Sequence, residues 1–230
     1  MADPAFTGLR VVDFSRALAG PFCAQMLGDM GADVIKIEAR EVGDDARTWG
    51  PPFLGKESTY FFAMNRNKRS LTLDLKAGKD VVERLLRTAD VVVENFSPGT
   101  MARLGIGYED VKAYNLAVVY CSISGYGQTG PGAALPGYDM TAQGAGGLMS
   151  VTGQDQPTRV GVSISDLTAG MFAAYSVATA LYHRKETGCG QFIETSLLAG
   201  TVAILTHHAS AYLNAGKVAG LQGNTHTTIA

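Results

Sequence analysis

The sequence predicts a doubly wound α/β fold built on a parallel sheet, and three observations predict it. Residues 9–37 read strand, helix, strand within thirty residues, the length of one right-handed parallel crossover. The same alternation returns at residue 70 and runs to residue 195. With 46% hydrophobic and 17% charged residues, the 230-residue chain can bury a large core.

Taken in order, residues 9–14 (LRVVDF) form a short buried strand, and residues 21–30 form a helix on which Phe22, Met26, Leu27 and Met30 recur at helical spacing. Residues 32–37 are the second strand. A long segment marked by glycine and proline follows, and then residues 70–75 read as strand, 79–88 as helix, 90–94 and 116–123 as strands. Residues 166–186 suit a long helix on Met171, Phe172, Tyr175, Ala178, Leu181 and Tyr182, stopped by Gly188 and Gly190. A strand at 191–195 and a single helix from 196 to about 215 complete the periodic part. Residues 216–230 show no periodicity and read as a connection. The expected organisation is a large domain over 1–200, then a helix and the start of a connection over 201–230.

A formal charge of -2 leaves no cationic surplus for a phosphodiester backbone, so nucleic acid is not an expected partner. Cys23, Cys121 and Cys189 are far apart and contain no C-x-x-C pair, which argues against a disulfide framework or a thiolate metal cage and for a reducing cytoplasm. No basic segment followed by an apolar run opens the sequence, and no eighteen-residue stretch escapes polar interruption, so neither secretion nor a membrane span is expected. The adjacent His207 and His208 project differently from a helix and read as packing or surface residues.

Several segments carry possible chemistry. The turn at 15–21 places a helix N-terminus beyond a parallel strand, a position that favours an anion or simply packs helix on strand. It is not G-x-G-x-x-G, and no P-loop or G-x-S-x-G motif occurs, so nicotinamide, triphosphate and serine-hydrolase sites lack support. The basic stretch at 65–70 is either a solvated loop or part of a phosphate-binding edge. It would share that edge with the 95–99 segment and Arg103. Glycines at 125–130 and 144–147 suit turns and close ligand approach equally. Asp166 follows a largely apolar run at a predicted helix start, as an N-cap or as a carboxylate nucleophile that the helix N-terminus keeps ionised.

Together, six ordered blocks resemble the class III CoA-transferase family (CaiB/BaiF type), which includes α-methylacyl-CoA racemases. They are Asp13-Phe-Ser-Arg-Ala-Leu-Ala-Gly-Pro21, Gly31-Ala-Asp-Val-Ile-Lys-Ile-Glu38, Asn67-Lys-Arg-Ser70, Val93-Glu-Asn-Phe96, Gly125-Tyr-Gly-Gln-Thr-Gly-Pro131 and Ser165-Asp-Leu-Thr-Ala-Gly170. Residues 44–53 and 120–131 look most like the succinate-hydroxymethylglutarate and itaconate type of dicarboxylate transferase. The resemblance implies a Rossmann-like CoA-binding domain with Asp166 as nucleophile. CoA contacts fall on Leu18, Ala19, Leu73, Lys76, Asn95, Phe96 and Arg103, and Tyr138 lies beside the substrate. Family members often place Arg directly after the second strand; here Ala39 stands there, and Arg40 is the residue expected at that phosphate. Arg16 is expected either to pair with the remote carboxylate of a dicarboxylic acid or to pack on the sheet.

The implied reaction moves CoA from an acyl-CoA, by type succinyl-CoA, to a carboxylic acid through an aspartyl anhydride and an aspartyl-CoA thioester. Coenzyme A is then a substrate, and no metal or other cofactor is expected. The resemblance also implies an interlocked homodimer, and a small domain and return segment that this chain lacks, among them a glycine-rich loop over the aspartate. Two rivals follow: a racemase-like isomerase, and an inactive CoA-binding fragment. Racemase relatives carry His where this chain has Tyr138, and a tyrosine with a pKa of about 10 is a poor base.

Overall fold

The computed structural model describes residues 3–226 and 229. The chain begins with β1 (Arg10–Asp13), α1 (Ala19–Asp29) and β2 (Asp33–Glu38), then a short 3-10 helix (Asp45–Thr48), the two-residue strands β3 (Phe53–Leu54) and β4 (Glu57–Ser58), and α2 (Thr59–Asn65). Next come β5 (Lys68–Thr72), α3 (Lys79–Leu86), β6 (Val91–Glu94), α4 (Thr100–Arg103), α5 (Tyr108–Lys112) and β7 (Val119–Ser124). After α6 (Asp139–Ala145), the long α7 (Ile164–Thr187) leads to β8 (Phe192–Ser196), α8 (Leu197–Ile204) and α9 (Thr206–Ala215).

Six strands form one parallel sheet in the order β5-β2-β1-β6-β7-β8, and β3 and β4 pair apart as a small antiparallel ribbon. The expected doubly wound fold is therefore present. Parallel strands covered on both faces need apolar side chains on both, and the strands supply them in alternation. Val11, Val91, Val93, Val119, Cys121 and Ile123 pack under α1 and α7, whereas Val12, Val92, Val118 and Tyr120 pack with Val82 and Leu86 of α3 and with Met101 and Val111 on the opposite face.

The α1–α7 contact is made by small residues. Ala19, Cys23 and Ala24 meet Ala169, Ala173 and Ala174, and a Cβ at Gly170 would lie 2.7 Å from the Ala19 carbonyl. Phe22 and Met26, expected on the buried face of α1, are only partly buried because the closer packing uses the alanine face. The end of α7 behaves as its sequence indicates: Gly188 takes a left-handed C-cap with φ 73°. Although α7 has the length and apolarity of a membrane span, half of its most apolar window is buried within the fold.

Two expectations are corrected, and one unread segment gains its elements. The single helix read over 196–215 is α8 and α9, broken at Leu205, with Thr206 at φ 37°. The strand read at 70–75 begins two residues earlier and ends at Thr72. The glycine- and proline-marked segment holds the 3-10 helix, the ribbon and α2, which is capped by the Ser58 hydroxyl accepting from Tyr60 and Phe61 N–H.

Candidate active site

All six strands end at one edge, and the strand order reverses between β1 and β6, so the loops after them diverge there to leave a crevice. The loop after β1 carries Arg16. Asn95, just beyond β6, grips it at both backbone groups: the Arg16 N–H donates to Asn95 Oδ1 at 2.8 Å and Asn95 Nδ2 donates to the Arg16 carbonyl at 2.7 Å. The Arg16 guanidinium lies 5.2 Å from the centre of the Phe96 ring and 3.4 Å from Asp45, in a largely exposed pair.

Two cavities meet at Phe96. One, of about 560 Å³, is lined by Arg16, Arg40, Leu73 and Phe96 together with Phe14 and Ile37. The other, of about 490 Å³, runs from Asn95 and Phe96 to Ser124, Gly125 and the 133–137 segment. Its far wall exists because Gly125 and Gly137 touch backbone to backbone; a Cβ on Gly125 would lie 2.4 Å from the Gly137 Cα. Of the residues singled out in the sequence, Arg16, Arg40, Leu73, Asn95 and Phe96 thus come together. Leu18 and Ala19 are buried at the start of α1, which has no side-chain cap. Lys76, Arg103 and Tyr138 do not line these two cavities: Lys76 follows a turn held by Asp74, Arg103 donates to Thr100 Oγ1, and Tyr138 is 70% exposed.

Asp166 lies in the first turn of α7, four residues before the glycine that lets α7 lie against the start of α1. It is not the N-cap, a place taken by Ser163. Nor is its carboxyl held ionised by the helix: burial first, and then the charge of Asp139, push its pKa from 3.8 up to about 7. Asp139, at the start of α6, accepts from the Ser165 N–H at 2.8 Å and from Gln143 Nε2 at 2.7 Å. The buried Gln143 in turn accepts from the Val160 N–H at 2.8 Å, so the segment entering α7 is pinned to α6. Tyr60 of α2 completes the surroundings: burial and then the Asp166 carboxyl push its phenol up to about 12, opposed by a hydrogen bond with Ser163. Trp49 packs edge-on against Tyr60 at 5.1 Å. Tyr60 and Trp49 were not read as site residues; their one signal was that the chain's only tryptophan sits in a Gly-Pro-Pro turn.

The basic stretch at 65–70 does not serve the crevice. Lys68 is buried and donates to Asp13 Oδ2 at 2.9 Å and to the Pro21 carbonyl at 2.8 Å, while Arg66 pairs with Asp29 and Arg69 with Asp33. Its cations are consumed by structure. Among the described residues, no cluster of three or more His, Cys, Asp or Glu is arranged to hold a metal ion.

A six-stranded parallel sheet with a cleft at its switch point defines a doubly wound α/β protein with a ligand crevice at the strand ends, and sequence comparison narrows the class. The profile of CoA-transferase family III matches residues 6–230, and the chain belongs to that family. Human succinyl-CoA:glutarate CoA-transferase is 44% identical over 96% of this chain and 52% of its own length. A succinate–glutarate CoA-transferase of Agrobacterium fabrum is 44% identical over 98% of this chain and 59% of its own. The crystal structure of a CaiB/BaiF family protein from Brucella suis superposes with a TM-score of 0.94 at 43% identity, covering 100% of this chain and 62% of that one. The chain therefore spans little more than half the length of these relatives.

Proposed function

We propose that this chain forms the CoA-binding, nucleophile-bearing part of a transferase that passes CoA between dicarboxylic acids, with Asp166 as the covalent residue. The observation that carries this reading is a carboxyl tuned to about 7 at the start of α7, where that helix lies against the first turn of α1. A nucleophile should be ionisable at working pH yet not so stabilised that it is unreactive. The relatives named above act, by name, between succinyl-CoA and glutarate, which points to dicarboxylate donor and acceptor.

In the reaction, the ionised Asp166 attacks the donor thioester carbonyl; the C–S bond breaks and CoA leaves as thiolate, giving a mixed anhydride. The thiolate then attacks the aspartyl carbonyl, releasing the donor acid and leaving an aspartyl-CoA thioester. The acceptor carboxylate attacks that thioester to form a second anhydride, and the returning thiolate takes the new acyl group and regenerates Asp166. Each activated bond is exchanged for another, so no energy source is consumed. Arg16 and Arg40 share the larger cavity and suit the phosphates of CoA; in this reading Arg16 serves the nucleotide end, the alternative being a pairing with the remote carboxylate of the acceptor acid. Asn95 and Phe96 join it to the second cavity, a path for the pantetheine arm.

The test is to incubate the protein with succinyl-CoA, trap with hydroxylamine and locate the modified residue by mass spectrometry. Label on Asp166, and none in Asp166→Asn with CoA binding retained, is the expected result. Label on another carboxylate, or undiminished transfer by the Asn variant, would overturn it.

A further inference from the structure

The 3-10 helix at Asp45–Thr48 meets the site described above through the exposed Asp45–Arg16 pair, and beneath it the residue that caps it joins an unusual group of buried charges. Asp44 is 1% exposed and Lys36, on β2, is 1% exposed; their side chains pair at 2.8 Å. Burying such a pair costs desolvation of both ions, so it is poorly explained by packing alone. Its hydrogen bonds give it a purpose. Asp44 Oδ1 accepts from the Ala17 N–H at 3.2 Å and from the Ala46 N–H at 2.9 Å, while Lys36 Nζ donates to the Ser15 carbonyl at 2.7 Å.

Ala17 stands at φ 66°, a left-handed conformation that a Cβ disfavours and that persists only where the surroundings dictate it. Around it, every residue of the turn is held at the backbone. Ser15 N–H donates to Asp13 at 2.9 Å, its carbonyl is taken by Lys36, Arg16 is gripped at both groups by Asn95, and Ala17 N–H is taken by Asp44. Asp44 is itself anchored, since its N–H donates to Glu38 at 3.0 Å and Glu38 accepts from Arg47 Nε and Nη2 at 2.7 and 2.8 Å.

We propose that Asp44 is a positioning residue whose buried carboxylate, paired with Lys36, locks the turn at 15–17 with Ala17 left-handed and so presents the Arg16 guanidinium to the crevice. This rests on the reading that the crevice takes CoA. The lock itself does not, which lets the two be tested apart.

Asp44→Asn keeps the shape but leaves a clash of donors whichever way the amide turns, facing either Lys36 Nζ or the Ala17 N–H. Two readouts follow, amide hydrogen exchange at Ala17, which needs no ligand, and the Kd for CoA by calorimetry. In Asp44→Asn the Ala17 amide should exchange at least about tenfold faster, and CoA should bind about tenfold more weakly. Adding Ala17→Gly should recover CoA affinity to within about threefold of wild type, because glycine takes the left-handed conformation without a Cβ penalty. Should the Asn variant not fold, Asp44→Glu keeps the charge beside Lys36 while displacing the oxygen, and the same two readouts apply. Unchanged Ala17 exchange in the folded variant overturns the lock whatever CoA does. Faster exchange with unchanged CoA affinity overturns the presentation of Arg16. Were the wild type to bind no CoA while Ala17 exchange still depended on Asp44, the lock would stand and the CoA reading would fall.

Discussion

At the scale of single residues, the protonation of Asp166 governs both reactivity and stability. Its carboxyl holds a proton more tightly in the folded chain than in the unfolded one, so the folded state binds more protons between pH 3.8 and about 7. Folding stability should therefore fall as pH rises through that window, by at most about 1.4 kcal/mol per pH unit, and be constant above it. Asp166→Asn removes the cost: urea denaturation should show the variant to be the more stable protein at pH 8, with the difference gone by pH 4. A variant less stable at pH 8 would mean that burial is not the dominant cause. Reactivity should run the other way, the rate of succinyl-CoA labelling rising toward an apparent pKa near 7. Asp139→Asn keeps an acceptor for the Ser165 N–H and removes the neighbouring charge, so the midpoint should move down by roughly one pH unit. A midpoint that stays in place would leave burial as its sole cause. The position of Asp166 was legible in the sequence, as a lone carboxylate between an apolar run and a helix start. Its raised pKa was not, because burial belongs to the assembled fold and Asp139 arrives from a separate helix, whereas the sequence-based expectation rested on the helix terminus alone.

At the scale of elements, two contacts decide where the site residues stand. Gly170→Ala puts a methyl 2.7 Å from the Ala19 carbonyl, against backbone that cannot rotate away, and should cost about 1–3 kcal/mol in chemical denaturation. Because the displaced segment carries Asp166, the labelling rate should drop with it; a variant matching wild type in both would show that α1 and α7 tolerate separation. The second contact is the ion pair between Asp13 of β1 and Lys68 of β5, buried on both sides. Burial raises the Asp13 pKa, but Lys68, Lys36 and Ser15 outweigh it and hold it below its ordinary value. Lys68→Met leaves Asp13 short of its nearest cation and should cost about 3–5 kcal/mol in the same assay; a loss under about 1 kcal/mol would show the pair to be replaceable. The strands were legible because their apolar runs are long enough to be covered on both sides. The face of α1 was not, since alanine, cysteine and glycine carry little hydropathy contrast, and the larger Phe22 and Met26 drew attention to the wrong stripe. The break after α8 was equally hidden, with no glycine or proline to announce it.

At the scale of the whole molecule, α7 covers the sheet with its alanine face and shows Met171, Phe172, Tyr175 and Tyr182 to solvent, the last two more than 70% exposed. The side chains of α9 include none that is buried. Apolar surface of this extent suits the proposed assembly with a second copy of the chain, and light scattering is expected to give a mass of at least twice that of one chain; a monodisperse monomer would contradict it. The alternation of strands and helices told which layers would form but not their neighbours, because strand order depends on which edge each crossover reaches. That order has a consequence for how the protein is made. β2 joins β1, β5 joins β2, β6 joins the other side of β1, and β7 and β8 follow outward, so each new strand meets an edge already in place and none has to be inserted between two that are paired. A chain emerging from the ribosome amino terminus first can assemble this sheet in the order in which it is translated. The end of the crevice that holds Arg16 and Arg40 is then built early, from β1, β2, β5 and β6, and α7, with Asp166 in its first turn, is laid on the sheet only after β7 has joined it.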